Sequence, residues 1–454
     1  MKKRKYTKTE QELNNVLKYQ SEQLDKITFP SSSEIDRSIR QSEDILRMLG
    51  VDPVAAAPSQ EGTSSREVIV VPSWAHLCEE AEKSVGSNND LEDLFTEKEL
   101  QENQEAVKRL NAEYNQLHNL DKYDIAISAC AGILSAAVDI LLVGIPKKTP
   151  EGLKGGPLAN YIREEFDKKF PEEEMQKLAN SKVSKVPFDA QDNRNTTIYV
   201  EGLSAYYHRL LSMGHDPLLG FVFGVVDILN GTMTTIDKKG KVVVQVMENY
   251  SDRKETDIFA AIAKQIIHLK SDMTTSMGLP APMMELFNLL QFGDIGEYDQ
   301  TIAEIVQGMY YEGYDFIHFC SLSIPVMLTE VIVRLGYAIK RIKEGHSIKE
   351  SIPFSLDREK HPKLATMLFI GHSSATAINA GKIYFTKNPM AINYPQWLAF
   401  AKYTFQQVKW IIHDKSSARE AFVQGKLNEE MQEIFAEADT SFEELSKKYI
   451  VVMK

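Results

Sequence analysis

The chain has 454 residues, 26% of them charged, a net charge of −12 and three cysteines. That length suggests two to four domains. The acidic balance argues against wholesale nucleic-acid binding, so no nucleic-acid partner is expected. Cys78, Cys130 and Cys320 lie far apart with no CxxC, which argues against a disulfide framework or a cysteine zinc site and for a reducing compartment.

The first residues, MKKRKYTK, are basic but lead into TEQELNN without an apolar run, so they do not read as a secretory signal. Residues 1–67 read as a polar helical extension ending in a linker, DPVAAAPSQEGTSSRE, rich in Pro, Ala, Ser and Gly. Residues 68–120 begin with a short β-like run at 68–71. They continue into an amphipathic helix behind the capping box Thr96–Glu99, with Leu100, Val107, Leu110, Tyr114 and Leu117 on its apolar spacing. Residues 121–454 form the expected helical core domain. Its first run, Ile125 to Ile145, carries one charge, Asp139, and is long enough to cross a bilayer or to be the central helix of a large core. A glycine-rich basic loop and a charged helix follow, then a strand expected at 196–200.

The stretch Tyr206–Gly231 holds His208 and His215, a glycine stop at Gly214 and a helix start at Asp216-Pro217. Gly220, Gly224 and Asp227 fall on one face of that helix, aiming the aspartate at a neighbour. Two β-branched runs around Asp237–Gly240 predict a hairpin near 232–246, standing outside the helical body. A helix at about 256–270 carries His268. A long helical pattern covers 299–344, with Pro325 inside it and Glu330 and Arg334 spaced to pair. The last apolar run is Thr366–Phe385, and an acidic amphipathic tail closes the chain. The fold class expected is mainly α: a multi-helix bundle with a small β-hairpin protrusion.

One internal echo bears on chemistry. Gly132-ILSAAVDIL and Gly220-FVFGVVDIL share a glycine, a small residue four on, and an aspartate, Asp139 or Asp227, at i+7. In GHSSATAINAG the residues His372, Thr376 and Asn379 make a polar stripe at the same spacing. Chance similarity among buried apolar helices accounts for this pattern as well as a shared inner face does. A carboxylate in such a core needs a hydrogen bond, a cation or a proton. His208, His215, Asp139, Asp227 and His372 are therefore the candidate metal ligands, and a divalent metal is the cofactor they would take. No HExxH, EF-hand loop or GxSxG is present.

HRLLSMGHDPLLG, together with AAVDILLVG, resembles the bacterial membrane-bound metal-dependent hydrolases, which carry aspartate and histidine segments on apolar helices. The likeness covers two short stretches. It implies His208, His215 and Asp139 as ligands, although only one aspartate stands where that family has two, and the histidines are further apart. Three readings follow: a cytoplasmic helical protein acting at or near a membrane, with a buried Asp/His cluster; a metal-dependent hydrolase of phosphoester or lipid substrates; and a soluble helical scaffold for a partner protein or a second copy of the chain.

Overall fold

The computed structural model describes residues 6–26, 32–48, 67–150, 152–275, 277–293 and 300–453. The linker expected over 52–67 lies outside them except for Glu67. In chain order the regular elements are α1 (Lys8–Lys26), α2 (Ser32–Met48), β1 (Glu67–Val71), α3 (Trp74–Val85), α4 (Glu97–His118), α5 (Lys122–Val138), β2 (Lys147–Thr149), β3 (Gly152–Lys154), α6 (Pro157–Lys169), α7 (Glu172–Ala179), α8 (His208–Leu211) and α9 (Phe223–Asn230). Then come β4 (Thr232–Ile236), β5 (Val242–Val246), α10 (Ile258–Asp272), α11 (Ile302–Tyr311), α12 (Phe316–Lys343), α13 (Ile348–Ser351), α14 (Leu364–Thr386), α15 (Tyr394–Lys409), α16 (Lys415–Lys448) and β6 (Tyr449–Met453). The fold is mainly α with small strand pairs, as the sequence predicts.

The chain divides into two compact units, 1–116 with 415–454, and 117–414. This differs from the expected boundaries. The acidic tail leaves the core domain and joins the N-terminal segment, where β6 pairs in parallel with β1 from Glu67↔Tyr449 to Val71↔Met453. A parallel partner so distant in sequence leaves no local signal.

In the unit 117–414, α5, α12, α14 and α15 pack into a bundle. Asp121 caps α5 by accepting hydrogen bonds from the Tyr123 and Asp124 N–H groups. Gly132 is the close-approach point: a Cβ there would sit 2.2 Å from the Gly371 carbonyl of α14, so only glycine fits. Ile127 packs against Gly336, Ser135 accepts a hydrogen bond from Thr329 at 2.7 Å, and Lys340 meets Asp124. These pairs set α5 and α12 antiparallel.

Beside the bundle lies a smaller assembly of α8, α9, α10 and the β4–β5 hairpin, with a core that includes Phe188, Leu211, Ile228, Met233 and Ala261. The hairpin forms where expected, paired from Thr232↔Val246 to Ile236↔Val242. Its first strand is buried, however, because α9 covers it and Ser212 bridges to Thr235, so it does not stand clear of the body. Three other expectations change. The strand at 196–200 does not form; the Thr197 and Ile198 N–H groups donate to the Gln245 Oε1 instead. The 299–344 pattern breaks into α11 and α12 at Gly313, whose φ is +104°. And α9 packs on α10 and β4, not in the bundle with α5, α12 and α14.

Candidate functional site

Three histidines and two aspartates converge in the smaller assembly. His208 opens α8, His215 sits in the following 3₁₀ turn, and His268 and Asp272 lie four apart on one face of α10. Asp189 comes from the loop after α7. The Asp189 Oδ1 lies 3.6 Å from the His208 Nε2 and 3.7 Å from the His215 Nε2. On the other side the Asp272 Oδ2 is 3.8 Å from the His215 Nε2 and 3.7 Å from the His268 Nε2. His215 is thus shared by two donor triads.

Local structure fixes each ring. The His208 Nδ1 lies 2.9 Å from the Ala205 carbonyl and the His268 Nδ1 lies 3.0 Å from the Ser184 carbonyl. A carbonyl only accepts, so both Nδ1 atoms carry the proton and both Nε2 lone pairs face the cluster. Phe188 packs edge-on against His215 and His268, at 5.1 and 5.3 Å between ring centroids. Its ring also needs Gly214, where a Cβ would lie 2.5 Å away. Gln265 of α10 donates to the Gly214 carbonyl at 2.7 Å, tying the turn to the helix. Asp216 clamps the far side of the turn: one oxygen accepts from the Leu218 and Leu219 N–H groups, and the other from the Met283 N–H. Arg209 donates to the Asp272 Oδ1 at 3.0 Å and is itself held by Thr275 and the Gly278 carbonyl, so the Asp272 Oδ2 keeps its aim.

Electrostatics favour the cation-ready forms. Burial, with His215 alongside, pushes His208 down to about 4, and burial also depresses His268, so both imidazoles are neutral at pH 7. Burial pulls the Asp189 carboxyl upward, but the nearness of His215, with His268 and His208 beside it, outweighs this and holds it below the usual range. Meanwhile the His208 Nε2, both His215 ring nitrogens, the His268 Nε2 and the Asp272 Oδ2 make no hydrogen bond among the described residues. Buried acceptors facing one another without a donor are costly, about 1–3 kcal/mol each. A cation in either triad would satisfy that triad's donors. Donors about 2.1 Å from a common ion stand roughly 3.0–3.6 Å apart, so the histidine–carboxylate spacings need a few tenths of an ångström of contraction. Three imidazoles and two carboxylates suit Zn²⁺, Mn²⁺, Fe²⁺ or Co²⁺.

Of the ligands expected from sequence, His208 and His215 are in this cluster and the other three are elsewhere. Asp139 is buried in the bundle, within 3.0–3.2 Å of Lys382, Asn379 and Asn393. Asp227 is fully buried and takes three hydrogen bonds, from the Thr232 hydroxyl and from the Thr234 N–H and hydroxyl, which join α9 to β4. His372 stacks on Tyr403 at 4.9 Å, takes the Gln396 amide on its Nδ1 and faces Glu330. Each aspartate therefore has a complete protein shell. Sequence reasoning missed Asp189, Asp272 and the role of His268; the i, i+4 pair His268/Asp272 was the one readable signal. Comparison with family models, with curated proteins and with solved structures finds no match.

Proposed function

We propose that this chain is a divalent-metal-dependent hydrolase of phosphoester or lipid substrates, working at a membrane surface. The carrying observation is that His215 is shared by two donor triads, with Asp189 and His208 on one side and His268 and Asp272 on the other, and that His208, His215, His268 and Asp272 all carry a buried polar atom without a hydrogen bond among the described residues. A divalent ion supplies Lewis acidity and makes water a competent nucleophile at neutral pH. The protein's part is to present three imidazoles, hold Asp272 through Arg209, and keep Asp189 on the open side. Asp189 retains 27% of its side-chain exposure, so water and substrate reach the cluster past it.

A second observation supports the membrane part. The stretches Glu97–Val143 and Phe316–Lys343 contain windows long and apolar enough to cross a bilayer, and much of the bundle's exposed surface is apolar. On α12 the exposed residues Met327, Val331, Leu335, Ile339 and Ile342 form one uncharged stripe, while Ser321, Thr329 and Tyr337 are buried. On α5 and the π-helical turn Asp139–Val143 that continues it, Ile125, Ile133, Leu134, Ile140, Leu141 and Leu142 are exposed, while Asp124, Ser128, Ser135 and Asp139 are buried. An exposed apolar stripe of this length is costly in water and is what hydrocarbon rewards.

Two measurements test the reading. Full-length protein purified without chelator should carry about one transition-metal ion per chain by elemental analysis and lose it in His215→Gln. It should also fractionate with membranes and need detergent. A metal-free protein whose melting temperature ignores added Zn²⁺, Mn²⁺, Fe²⁺ and Co²⁺ would refute the hydrolase. Monodisperse behaviour at high concentration without detergent would refute the membrane placement.

A further inference from the structure

A cleft of about 580 Å³ opens at the end of the bundle, at the junction of α6, α10 and α12. Its floor is apolar: Phe166, Phe170, Met273 and Phe316. Its rim is basic, with Lys168 and Lys169 lining it. The ammoniums of Lys169 and Lys270 stand over the Phe170 ring, each 5.9 Å from its centre. One acid, Glu165, is present and pairs with Lys168 at 2.8 Å. An apolar floor under an excess of positive charge fits an anionic amphiphile, and the volume lies in the range of small-molecule sites.

The cleft's height along the bundle identifies the source. The Ser135–Thr329 contact and the packing of Ile127 on Gly336 place Leu142, the end of the exposed α5 stripe, level with Leu322. Phe316 lies six residues beyond, about 9 Å at the helical rise. That is the headgroup layer if the stripes lie in hydrocarbon, and basic side chains there attract anionic lipid. The cleft also shares a wall with the metal cluster. Met273 follows Asp272 directly, and the Thr274 hydroxyl donates to the Phe170 carbonyl at 2.6 Å.

We propose that this cleft binds the headgroup and upper acyl chain of an anionic phospholipid, which makes a phosphate-bearing lipid the substrate class of the neighbouring centre. The inference rests on the membrane-surface reading above. The lipid's acyl chain lies on the phenylalanines, and its phosphate sits between Lys168 and Lys169.

The test is calorimetric titration of the full chain in detergent with short-chain phosphatidylglycerol and, separately, with phosphatidylcholine of the same chains. The glycerol lipid should bind at least about ten-fold more tightly. The exposed double substitution Lys168→Ala with Lys169→Ala should erase that preference, and Glu165→Gln, which frees Lys168, should strengthen it. Equal affinity for the two lipids, or a preference that survives the double substitution, overturns the proposal. Competition by inorganic phosphate as effective as that by the lipid overturns it too, by assigning the cleft to free anions. The same titration on His215→Gln should keep the preference, so loss of the metal centre and loss of the lipid cleft are read independently.

Discussion

The bundle and the smaller assembly both bury carboxylates, and Asp139 in the first and Asp272 in the second are treated in opposite ways. Asp139 in the bundle is surrounded by an ammonium and two carboxamides, all donors. Asp272 in the smaller assembly has Arg209 on one oxygen and faces the Nε2 atoms of His215 and His268 with the other. The first arrangement is finished without any further group. The second leaves that oxygen without a hydrogen bond among the described residues. Burial of an acid therefore says little about function; what its free lone pairs face says much more.

The comparison can be broken most sharply at His215, which both donor triads share. His215→Gln should lower metal affinity by well over the 10–100-fold expected for loss of a supporting residue. Equilibrium dialysis against Zn²⁺ or Mn²⁺ measures this, and unchanged affinity would mean the cluster is not a metal centre. Asp139→Ala is the counterpart in the bundle. It strands the buried Lys382 and should cost about 3–5 kcal/mol of stability by denaturant melting, while metal content stays at the wild-type level. Loss of metal there would join the two regions into one site.

Arg209→Met sharpens the comparison, since among the five cluster residues Arg209 touches Asp272. Metal affinity should fall about 10–100-fold, with the histidines still in place by NMR. Asp227→Ala should cost roughly 1–3 kcal/mol, because it leaves the Thr232 and Thr234 donors unpaired, and should leave metal affinity alone.

The smallest effect concerns Glu285, which is fully buried with neither oxygen hydrogen-bonded among the described residues. Burial, with Asp216 alongside, raises its carboxyl well above the ordinary value. The folded state then holds a proton that the unfolded state releases above about pH 4.5, so this group's contribution falls as pH rises. Glu285→Gln removes that slope. Its stability relative to wild type should grow from pH 5 to pH 8, and a difference flat in pH would contradict the assignment.

Much of this was legible in the sequence. Helix periodicity gave the main elements, the β-branched runs around Asp237–Gly240 gave the hairpin, and small residues in Gly132-ILSAAVDIL marked the point where Gly371 of α14 meets α5. Burial of Asp139 and Asp227 followed from their place on those faces. Such features depend on spacing within one segment, which the chain states directly. Partnership does not. The parallel pairing of β1 with β6 joins residues nearly the whole chain apart. The cluster draws Asp189 from a loop, His208 and His215 from one turn and His268 and Asp272 from α10. No periodicity links those segments, and a loop aspartate looks like any solvated acid until packing removes its water. Only the tertiary structure decided that Asp139 and Asp227 are fully satisfied while the unsatisfied groups gather around His215, because hydrogen-bond satisfaction is a property of what surrounds a group and not of where it lies in the sequence.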